Sequence, residues 1–377
     1  MNRSLLRVAL LASLAGCGHF EALRLASPDA GRRDYKVESP ISPRSASTIR
    51  FFAVGDAGEP DPEHPGRSNP GAREVAALVG RVCEARGGCD FGVFLGDNIY
   101  NKGIDSLDPE DRSQLLFQDL VARYEGALVG GRVPLFFVLG NHDWGPALIP
   151  YGASPSSARA DRELETVARC LNCRGDAHFY ELTAGPVQMF AWDTNYLVHR
   201  CDEGATDCAL EGRDKLDGPR RSMSPWRVVV GHHPYFSNGE HGDAGSFVEG
   251  PGFSLWPGQG FRRLMDEHVV GVADLYIAGH DHNLQAFPDA TTHRGRAPGL
   301  NRTAVIVSGS GSKVKALRGS RAHAGPHDFG EERLGFTMVE ATRDRLVVEL
   351  HEVHEGPALR PAFRMVKDRA GGAFRVE

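Results

Sequence analysis

Five short motifs in the sequence place Asp, Asn or His directly after a glycine. They are Gly55-Asp56, Gly96-Asp97-Asn98, Gly140-Asn141-His142, Gly231-His232-His233 and Gly279-His280-Asp281-His282. Carboxylate and amide oxygens combined with imidazole nitrogens suit Zn, Fe or Mn better than Ca or Mg. An aspartate between two such ions can bridge them, and ions about 3.5–4 Å apart can stabilise both the attacking and the leaving oxygen of a phosphoryl transfer. One motif alone would indicate a hydrogen-bonded turn, but five in succession predict a dinuclear metal centre.

The segment before each motif is a short apolar run. The runs span residues 49–54, 91–95, 134–138, 226–230 and 273–278. They are rich in Val, Ile, Phe and Leu and lack polar alternation, which is typical of strands buried on both faces. Sites in open α/β sheets lie beyond the carboxyl ends of the strands, and glycine allows a sharp turn and a close approach. We therefore expect the polar side chains of the five motifs to meet along one edge.

The rest of the chain alternates helical and strand patterns. Helices are expected near 71–86, 111–129 and 258–268, a hairpin over 178–194, and strands over 284–287, 303–308, 335–341 and 345–351. The polar stretch 200–225, which Gly and Pro interrupt, is not assigned a helix. The order predicts an α/β (α+β) fold, a four-layer α/β/β/α sandwich of two mixed β-sheets flanked by helices. The catalytic domain is expected over 49–357, with a C-terminal tail over 358–377.

Composition limits the classes of function. The chain has 377 residues, 41% of them hydrophobic, and a net charge of −6 at pH 7. This content is sufficient for one large α/β or α+β unit. The acidic balance argues against a protein that binds nucleic acid through a basic surface, so no nucleic-acid partner is expected. A phosphate-bearing substrate held by metal ions is compatible with that charge.

The N-terminus has the pattern of a bacterial lipoprotein signal. Arg3 and Arg7 precede an apolar stretch that is too short to span a bilayer and ends in LAGC, where the cysteine is Cys17. We expect a signal peptide over 1–16, a lipid on the thiol of Cys17, and a flexible tether over 17–48. This predicts an exported lipoprotein on the periplasmic or cell-surface side of the membrane. A plain secretory signal with an incidental cysteine is the alternative.

The other six cysteines form three close pairs in the sequence. These are Cys83/Cys89, Cys170/Cys173 and Cys201/Cys208. An even number of cysteines in an exported protein predicts disulfides rather than free thiols, and the spacing favours local disulfides that hold loops. The sequence alone does not fix their connectivity.

The motif series resembles the calcineurin-like metallophosphoesterases, and its details resemble the small, tartrate-resistant type of purple acid phosphatase. Asp56 is followed by Ala-Gly, where the superfamily at large carries Asp-x-His. Tyr100 lies three residues after Asp97, GEHGD covers 239–243, and GHDHNLQ covers 279–285. The resemblance extends over about 49–350 and is weakest at 144–177 and 196–225.

The resemblance implies two metal sites that share one carboxylate. Fe(III) would be bound by Asp56, Asp97, Tyr100 and His282, and a divalent ion (Fe, Zn or Mn) by Asp97, Asn141, His232 and His280. His233 is the alternative to His232. Substrate binding is implied for Asn141, His142 and His241, and the catalytic groups that bind phosphate and protonate the leaving alcohol are His142 and His241. Four further histidines, His178, His199, His323 and His327, are expected to be ordinary surface or loop residues.

The implied activity is hydrolysis of phosphomonoesters, as in acid phosphatases. Hydroxide on the metal centre would attack phosphorus in line, and an imidazolium would protonate the leaving group best at mildly acidic pH. Small phosphate esters and phosphoproteins are the expected substrates. A Mn- or Zn-dependent phosphodiesterase or nucleotidase on the same fold is the alternative, and a binding protein that keeps the fold without activity is another.

Overall fold

The structure, a computed structural model, describes residues 35–45, 47–128, 133–145, 157–202, 213–247, 258–291, 301–318, 323–325, 327–354, 356, 359–370 and 372–377. The expected signal peptide, the lipid attachment residue Cys17 and most of the expected tether lie outside these residues. No helix in the described part of the chain has both the length and the apolar character needed to cross a membrane.

The described strands form two eight-stranded sheets. Sheet I consists, in spatial order, of β16 (Arg375–Val376), β15 (Phe363–Asp368), β14 (Arg345–Glu352), β13 (Gly335–Ala341), β2 (Ile49–Val54), β3 (Phe91–Leu95), β4 (Leu135–Val138) and β5 (Cys173–Arg174). Sheet II consists of β1 (Tyr35–Val37), β6 (Phe179–Ala184), β7 (Val187–Trp192), β8 (Trp226–Val230), β9 (Leu275–Ala278), β11 (Ala304–Ser308), β10 (Leu284–Phe287) and β12 (Phe329–Glu331). The described helices are α1 (Pro70–Ala85), α2 (Arg112–Ala127), α3 (Ser157–Arg169), α4 (Thr194–Asp202), α5 (Arg213–Leu216), α6 (Gly218–Arg221) and α7 (Gln259–His268).

The five strands that precede the polar motifs are parallel neighbours within their sheets. Strands β2, β3 and β4 lie side by side in sheet I, and β8 and β9 lie side by side in sheet II. Parallel neighbours end at the same edge of a sheet, so each sheet delivers its motifs to one edge. The hairpin predicted over 178–194 is also present, as the antiparallel pair β6 and β7.

The main core lies between the two sheets. Phe51, Val93 and Leu95 of sheet I belong to the same buried cluster as Val228 and Ile277 of sheet II. Helices α1 and α2 pack on the outer face of sheet I, and α4 and α7 pack on the outer face of sheet II. Each fully buried Val, Leu, Ile or Phe contributes about 1.5–3 kcal/mol to folding. The predicted four-layer α/β/β/α sandwich is confirmed.

Helix α1 begins at a residue pair that favours helix initiation. The side chain of Asn69 accepts the backbone N–H of Ala72 at 2.8 Å, and Pro70 occupies the first turn, where its missing N–H costs nothing. Val75 and Val79 then face the sheet and are fully buried. The helix is therefore held against β2 and β3, the strands that lead to the first two motifs.

The two sheets extend beyond both ends of the domain predicted from the sequence. Residues Tyr35–Val37, expected in the tether, pair in parallel with β6, and Ile41 bridges to Ala184. At the other end, β15 lies in the expected C-terminal tail but pairs along its whole length with β14, and its Met365 is fully buried. These strands are short and contain charged residues, so their apolar periodicity is too weak to detect without knowledge of the strand beside them.

Two of the predicted local disulfides are present. Cys83–Cys89 links the end of α1 to the segment before β3, and Cys170–Cys173 links the end of α3 to β5. The third predicted pair, Cys201/Cys208, lies outside the residues whose side chains are described.

Candidate metal centre

The motif glycines allow the ends of the two sheets to approach each other closely. A Cβ atom on Gly55 would lie 2.9 Å from the Cα of Gly279, and one on Gly96 would lie 2.7 Å from the Nδ1 of His232. Both distances are shorter than side chains tolerate. Any other residue at Gly55 or Gly96 would therefore push the two edges apart, which explains why each strand ends at a glycine.

Three of the predicted ligands have a left-handed backbone. The φ angles are 59° for Asp56, 52° for Asp97 and 71° for His280. Residues other than glycine rarely adopt this conformation, which costs about 1–3 kcal/mol each and persists only where the surrounding structure enforces it. Three such residues at one place mark this edge as a functional site.

Site A, formed by Asp56, Asp97, Tyr100 and His282, is buried. The hydroxyl oxygen of Tyr100 lies 2.8 Å from a carboxylate oxygen of Asp56 and 2.8 Å from one of Asp97. The Nδ1 of His282 lies 3.8 Å from Oδ1 of Asp56 and has no hydrogen-bond partner among the described residues. Buried polar atoms are normally paired, so an unpaired nitrogen beside two carboxylates and a phenol fits a cation bound among them.

Site B, formed by Asp97, Asn141, His232 and His280, brings three donor atoms together. The Nε2 of His232 lies 2.9 Å from Oδ1 of Asn141 and 3.1 Å from Nδ1 of His280, which is itself 3.1 Å from the same oxygen. The Oδ1 of Asp97 lies 3.4 Å from the Nε2 of His232. Because Nδ1 of His232 donates its proton to the carbonyl oxygen of Leu95 at 2.9 Å, its Nε2 keeps a lone pair. A single cation could bind the oxygens of Asp97 and Asn141 and the nitrogens of His232 and His280 together. A single proton could join only two of these atoms in a hydrogen bond.

His233, the alternative to His232, lies outside site B. Its Nδ1 lies 3.0 Å from the hydroxyl oxygen of Thr194, and its ring packs 5.3 Å from that of Phe247. The structure therefore brings His232 rather than His233 to the donor atoms.

The protonation states of the two sites suit cations. Burial, reinforced by the charge of Asp97, raises the pKa of Asp56 well above its ordinary value. Burial lowers the pKa of His232 to about 4 and that of His282 to about 2, so both imidazoles are neutral at neutral pH and keep a lone pair. Ligand atoms of Asp56, Asp97 and His232 also lie within 4.8 Å of one another. Carboxylates that resist joint ionisation, together with neutral imidazoles, fit a pair of Fe, Zn or Mn ions.

Comparison of the whole chain with known proteins agrees with this geometry. Residues 49–284, more than half of the chain, match the family described as calcineurin-like phosphoesterase. The chain belongs to that family.

The relatives of this phosphoesterase include purple and tartrate-resistant acid phosphatases. The type 5 tartrate-resistant acid phosphatase of Rattus norvegicus is 28% identical over 315 residues, which are 78% of this chain and 84% of that protein. Purple acid phosphatase 4 of Arabidopsis thaliana is 27% identical over 329 residues, 83% of this chain and 82% of that protein. The solved purple acid phosphatase PPD1 from yellow lupin (Lupinus luteus) seeds shares the fold with a TM-score of 0.56 at 16% identity, covering 85% of this chain and 54% of that one. The resemblance to purple acid phosphatases is confirmed.

A buried polar network fixes the metal-site loops of this phosphoesterase. Asp143 accepts the backbone N–H of Gly140 at 2.7 Å and that of Asn98 at 2.9 Å. The side chain of Asn98 donates to Glu163 of helix α3 at 2.9 Å. The network joins the loops after β3 and β4, each of which carries predicted ligands. Asn98 stands in the second motif and Asp143 directly follows the third, both without a predicted role, and Glu163 lies where the sequence resemblance is weakest.

The two histidines predicted to act on the substrate lie at the rim of the phosphoesterase site. The Nδ1 of His142 lies 2.8 Å from the carbonyl oxygen of Asn101, and its Nε2 lies 3.9 Å from Oδ2 of Asp97. The ring of His241 lies 4.4 Å from that of His280. Both rim histidines are partly exposed, as groups that meet a substrate must be.

Residues without a predicted role hold the loop that carries His241. Asp281 accepts the backbone N–H of His241 at 2.9 Å and also accepts the hydroxyl of Ser237. In the same loop, Oδ2 of Asp243 lies 2.7 Å from Nε2 of His323, a half-buried residue expected to be ordinary. The aspartate of the GHDH motif therefore positions a rim histidine, while the histidines on either side of it point to the metal sites.

The prediction that His178 is an ordinary surface or loop residue is wrong. It is buried, its Nδ1 lies 2.7 Å from Asp193, and Asp193 also accepts the indole N–H of Trp144 at 3.0 Å. The partner aspartate comes from the end of the neighbouring strand, so sequence spacing does not reveal the pair. His327 is exposed, as predicted, and the side chain of His199 lies outside the described residues.

Proposed function

We propose that this protein is an acid phosphatase that hydrolyses phosphomonoesters at a dinuclear centre of Fe(III) and a divalent ion, which is Fe, Zn or Mn. The observation that carries the proposal is the pair of donor groups that share Asp97, with the phenol of Tyr100 in site A and imidazoles and an amide in site B. A phenolate is a hard, strongly donating anion that favours Fe(III). Site B has the mixed nitrogen and oxygen donors that divalent transition metals prefer.

The phenol of Tyr100 makes site A selective for a trivalent cation. Burial and the carboxylates of Asp56 and Asp97 raise the pKa of Tyr100 well above 10. The phenol therefore loses its proton only when a cation lies beside it, and a trivalent ion favours that loss most strongly. Binding of Fe(III) to this site is therefore coupled to loss of the proton from the Tyr100 phenol.

The residues around the centre have separate roles in the reaction. Site A would hold Fe(III) and site B the divalent ion, with Asp97 shared between them. When bound, the two ions supply the nucleophile and neutralise charge on the transferring phosphoryl group. Asn141 and His142 face the substrate. Because the Nδ1 of His142 donates to the carbonyl oxygen of Asn101, the Nε2 can donate a hydrogen bond to a phosphate oxygen when the ring carries a second proton. His241 protonates the leaving alcohol.

Metal analysis and paired assays test the proposal. We expect purified protein to contain iron and to hydrolyse a phosphomonoester, either a small ester or a phosphoprotein, faster than a phosphodiester. Protein that contains only Mn or Zn and prefers diesters would instead be the alternative, a phosphodiesterase or nucleotidase on the same fold.

Tyr100→Phe should remove the colour of the iron-loaded protein. A ferric phenolate gives a broad visible charge-transfer band, and phenylalanine fills the same space without the oxygen that binds the ion. We expect the band to disappear and the iron to become easier to reduce, while metal content falls only partly because Asp56, Asp97 and His282 remain. Visible spectra of wild type and variant at equal iron content measure the effect.

Tyr124→Phe is the matched control for this substitution. Tyr124 is a buried phenol of helix α2 whose hydroxyl has no hydrogen-bond partner among the described residues. The control should keep the band. Iron-replete wild type without a visible band would falsify the assignment of Tyr100 and favour a Zn or Mn enzyme.

We further propose that the enzyme is exported and held at the periplasmic or cell-surface side of a bacterial membrane by a lipid on Cys17. Support comes from the sequence of the leader, with Arg3 and Arg7 before an apolar stretch that ends in LAGC. A lipid anchor would leave the folded domain free in the aqueous compartment, where the disulfides Cys83–Cys89 and Cys170–Cys173 persist.

Cys17→Ser in the precursor should abolish lipid attachment and move the protein to the soluble fraction. Cell fractionation followed by immunoblotting, together with a labelled fatty acid, measures both changes. A Cys17→Ser protein that stays wholly in the membrane fraction would contradict the anchor.

A further inference from the structure

A lysine lies against the ring of the predicted iron-binding tyrosine. Lys313 is in the loop that follows β11, and its Nζ lies 3.5 Å from the centroid of the Tyr100 ring. The same Nζ lies 2.6 Å from Oε2 of Glu59, in the loop that carries Asp56. An ammonium group over an aromatic face is attracted by the ring, and more strongly if the ring carries the negative charge of a phenolate.

The loop of Lys313 is fixed to the metal-site loops on both sides. The backbone N–H of Gly311 donates to the carbonyl of Gly55 at 3.0 Å, and that of Lys315 donates to the carbonyl of His282 at 2.8 Å. The hydroxyl of Ser312 donates to the carbonyl oxygen of Asp56. The loop of Lys313 is therefore bonded to the backbone of two ligands of site A, and the ammonium itself is held over the ring by its ion pair with Glu59.

The charge of Lys313 lies against the ring of Tyr100, whereas a bound ion would lie beside its oxygen. The hydroxyl oxygen of Tyr100 lies 2.8 Å from both Asp56 and Asp97, so an ion bound by these carboxylates is on the oxygen side. Lys313 faces the ring, where the negative charge of a phenolate is delocalised. A positive charge over the ring is nearer to the ring than to an ion beyond the oxygen. It therefore lowers the energy of the ring electrons more than it lowers the energy of an electron on the ion.

We propose that Lys313 is a positioning residue that weakens electron donation from the Tyr100 phenolate to the ferric ion. This inference rests on the proposed function, since it requires iron in site A. Weaker donation moves the charge-transfer band to shorter wavelength, makes the ferric ion easier to reduce, and leaves more positive charge on the ion.

Four iron-loaded proteins test the proposal: wild type, Lys313→Met, Lys313→Arg and Lys315→Met. Methionine keeps the length of the side chain without its charge, so the band of Lys313→Met should move to longer wavelength and its iron should require a stronger reductant. Lys313→Arg keeps a cation over the ring and should stay near wild type. Lys315 lies two residues away and pairs with Glu240 at 2.9 Å, so Lys315→Met is the matched control and should leave the band in place.

The visible spectrum and a reductive titration, both recorded at equal iron content, give the result without reference to activity. A coloured wild type with an unshifted Lys313→Met band overturns this proposal and leaves the iron assignment intact. A colourless wild type overturns both. Equal shifts in Lys313→Met and Lys315→Met also overturn it, because they would show a general effect of loop charge rather than the contact with Tyr100. Thermal unfolding of each variant confirms that the fold is retained.

Discussion

Asp97→Asn should lower phosphatase activity at least about 10³-fold, since loss of one preorganised electrostatic group alone costs about 10²–10³ in turnover. Asp97 is part of both donor groups: its Oδ2 lies 2.8 Å from the hydroxyl of Tyr100, and its Oδ1 lies 3.4 Å from Nε2 of His232. An amide has nearly the same shape but lacks the charge needed to bind two cations. We therefore expect the occupancy of both ions to fall together, measured by metal analysis alongside turnover of an aryl phosphate.

Asp108→Asn is the matched control for the bridging carboxylate. Asp108 is exposed and lies in the loop between β3 and α2, in which Tyr100 also lies. Its variant should keep wild-type activity and metal content. Asp97→Asn protein that retains both ions at wild-type levels would show that Asp97 is not the shared ligand. Thermal unfolding should find both variants folded, because the backbone N–H of His142 can still donate to the oxygen of an asparagine at position 97.

The sequence predicted those strands whose own composition shows that they are buried. The apolar runs before the five motifs are buried on both faces, so their composition identifies them without knowledge of a neighbour. Strands β1 and β15 are different: three charged residues stand among the six of β15, yet it pairs fully with β14. Its burial comes from the partner strand and not from its own periodicity, so the sequence of β15 alone does not indicate a strand.

The sequence predicted which residues the structure brings together at the candidate site, but not the groups that hold them. Ligands stand in motifs at strand ends, where residue type and position coincide. Glu163 reaches Asn98 from 65 residues away in the sequence, and Lys313 reaches Glu59 from 254 residues away. Neither contact follows from local spacing, because one depends on how helix α3 meets the loop after β3 and the other on how the loops after β2 and β11 meet. The left-handed backbone of Asp56, Asp97 and His280 is equally a product of that meeting.

His241→Ala should slow the hydrolysis of substrates with poor leaving groups by about 10²–10⁴-fold, the usual contribution of a general acid. The ring of His241 is partly exposed and lies 4.4 Å from that of His280, and the loop that carries it is fixed by the bond from its backbone N–H to Asp281. Alanine keeps that backbone bond, so the loop should stay in place. An alkyl alkoxide needs a proton to leave, whereas an activated aryl oxide does not, so turnover of activated aryl phosphates should change little. Turnover of a series of esters, plotted against the pKa of the leaving alcohol, should give a steeper dependence for the variant than for wild type.

The exposed residue His64 provides the control for this series, since its side chain is 60% exposed and lies in the loop before α1. His64→Ala should reproduce the wild-type dependence on the leaving group. A merely structural role of His241 would lower turnover of all esters alike and would not steepen the dependence on the leaving group. Equal losses on alkyl and activated aryl phosphates would contradict an acid role and would leave His241 as a group that only binds phosphate.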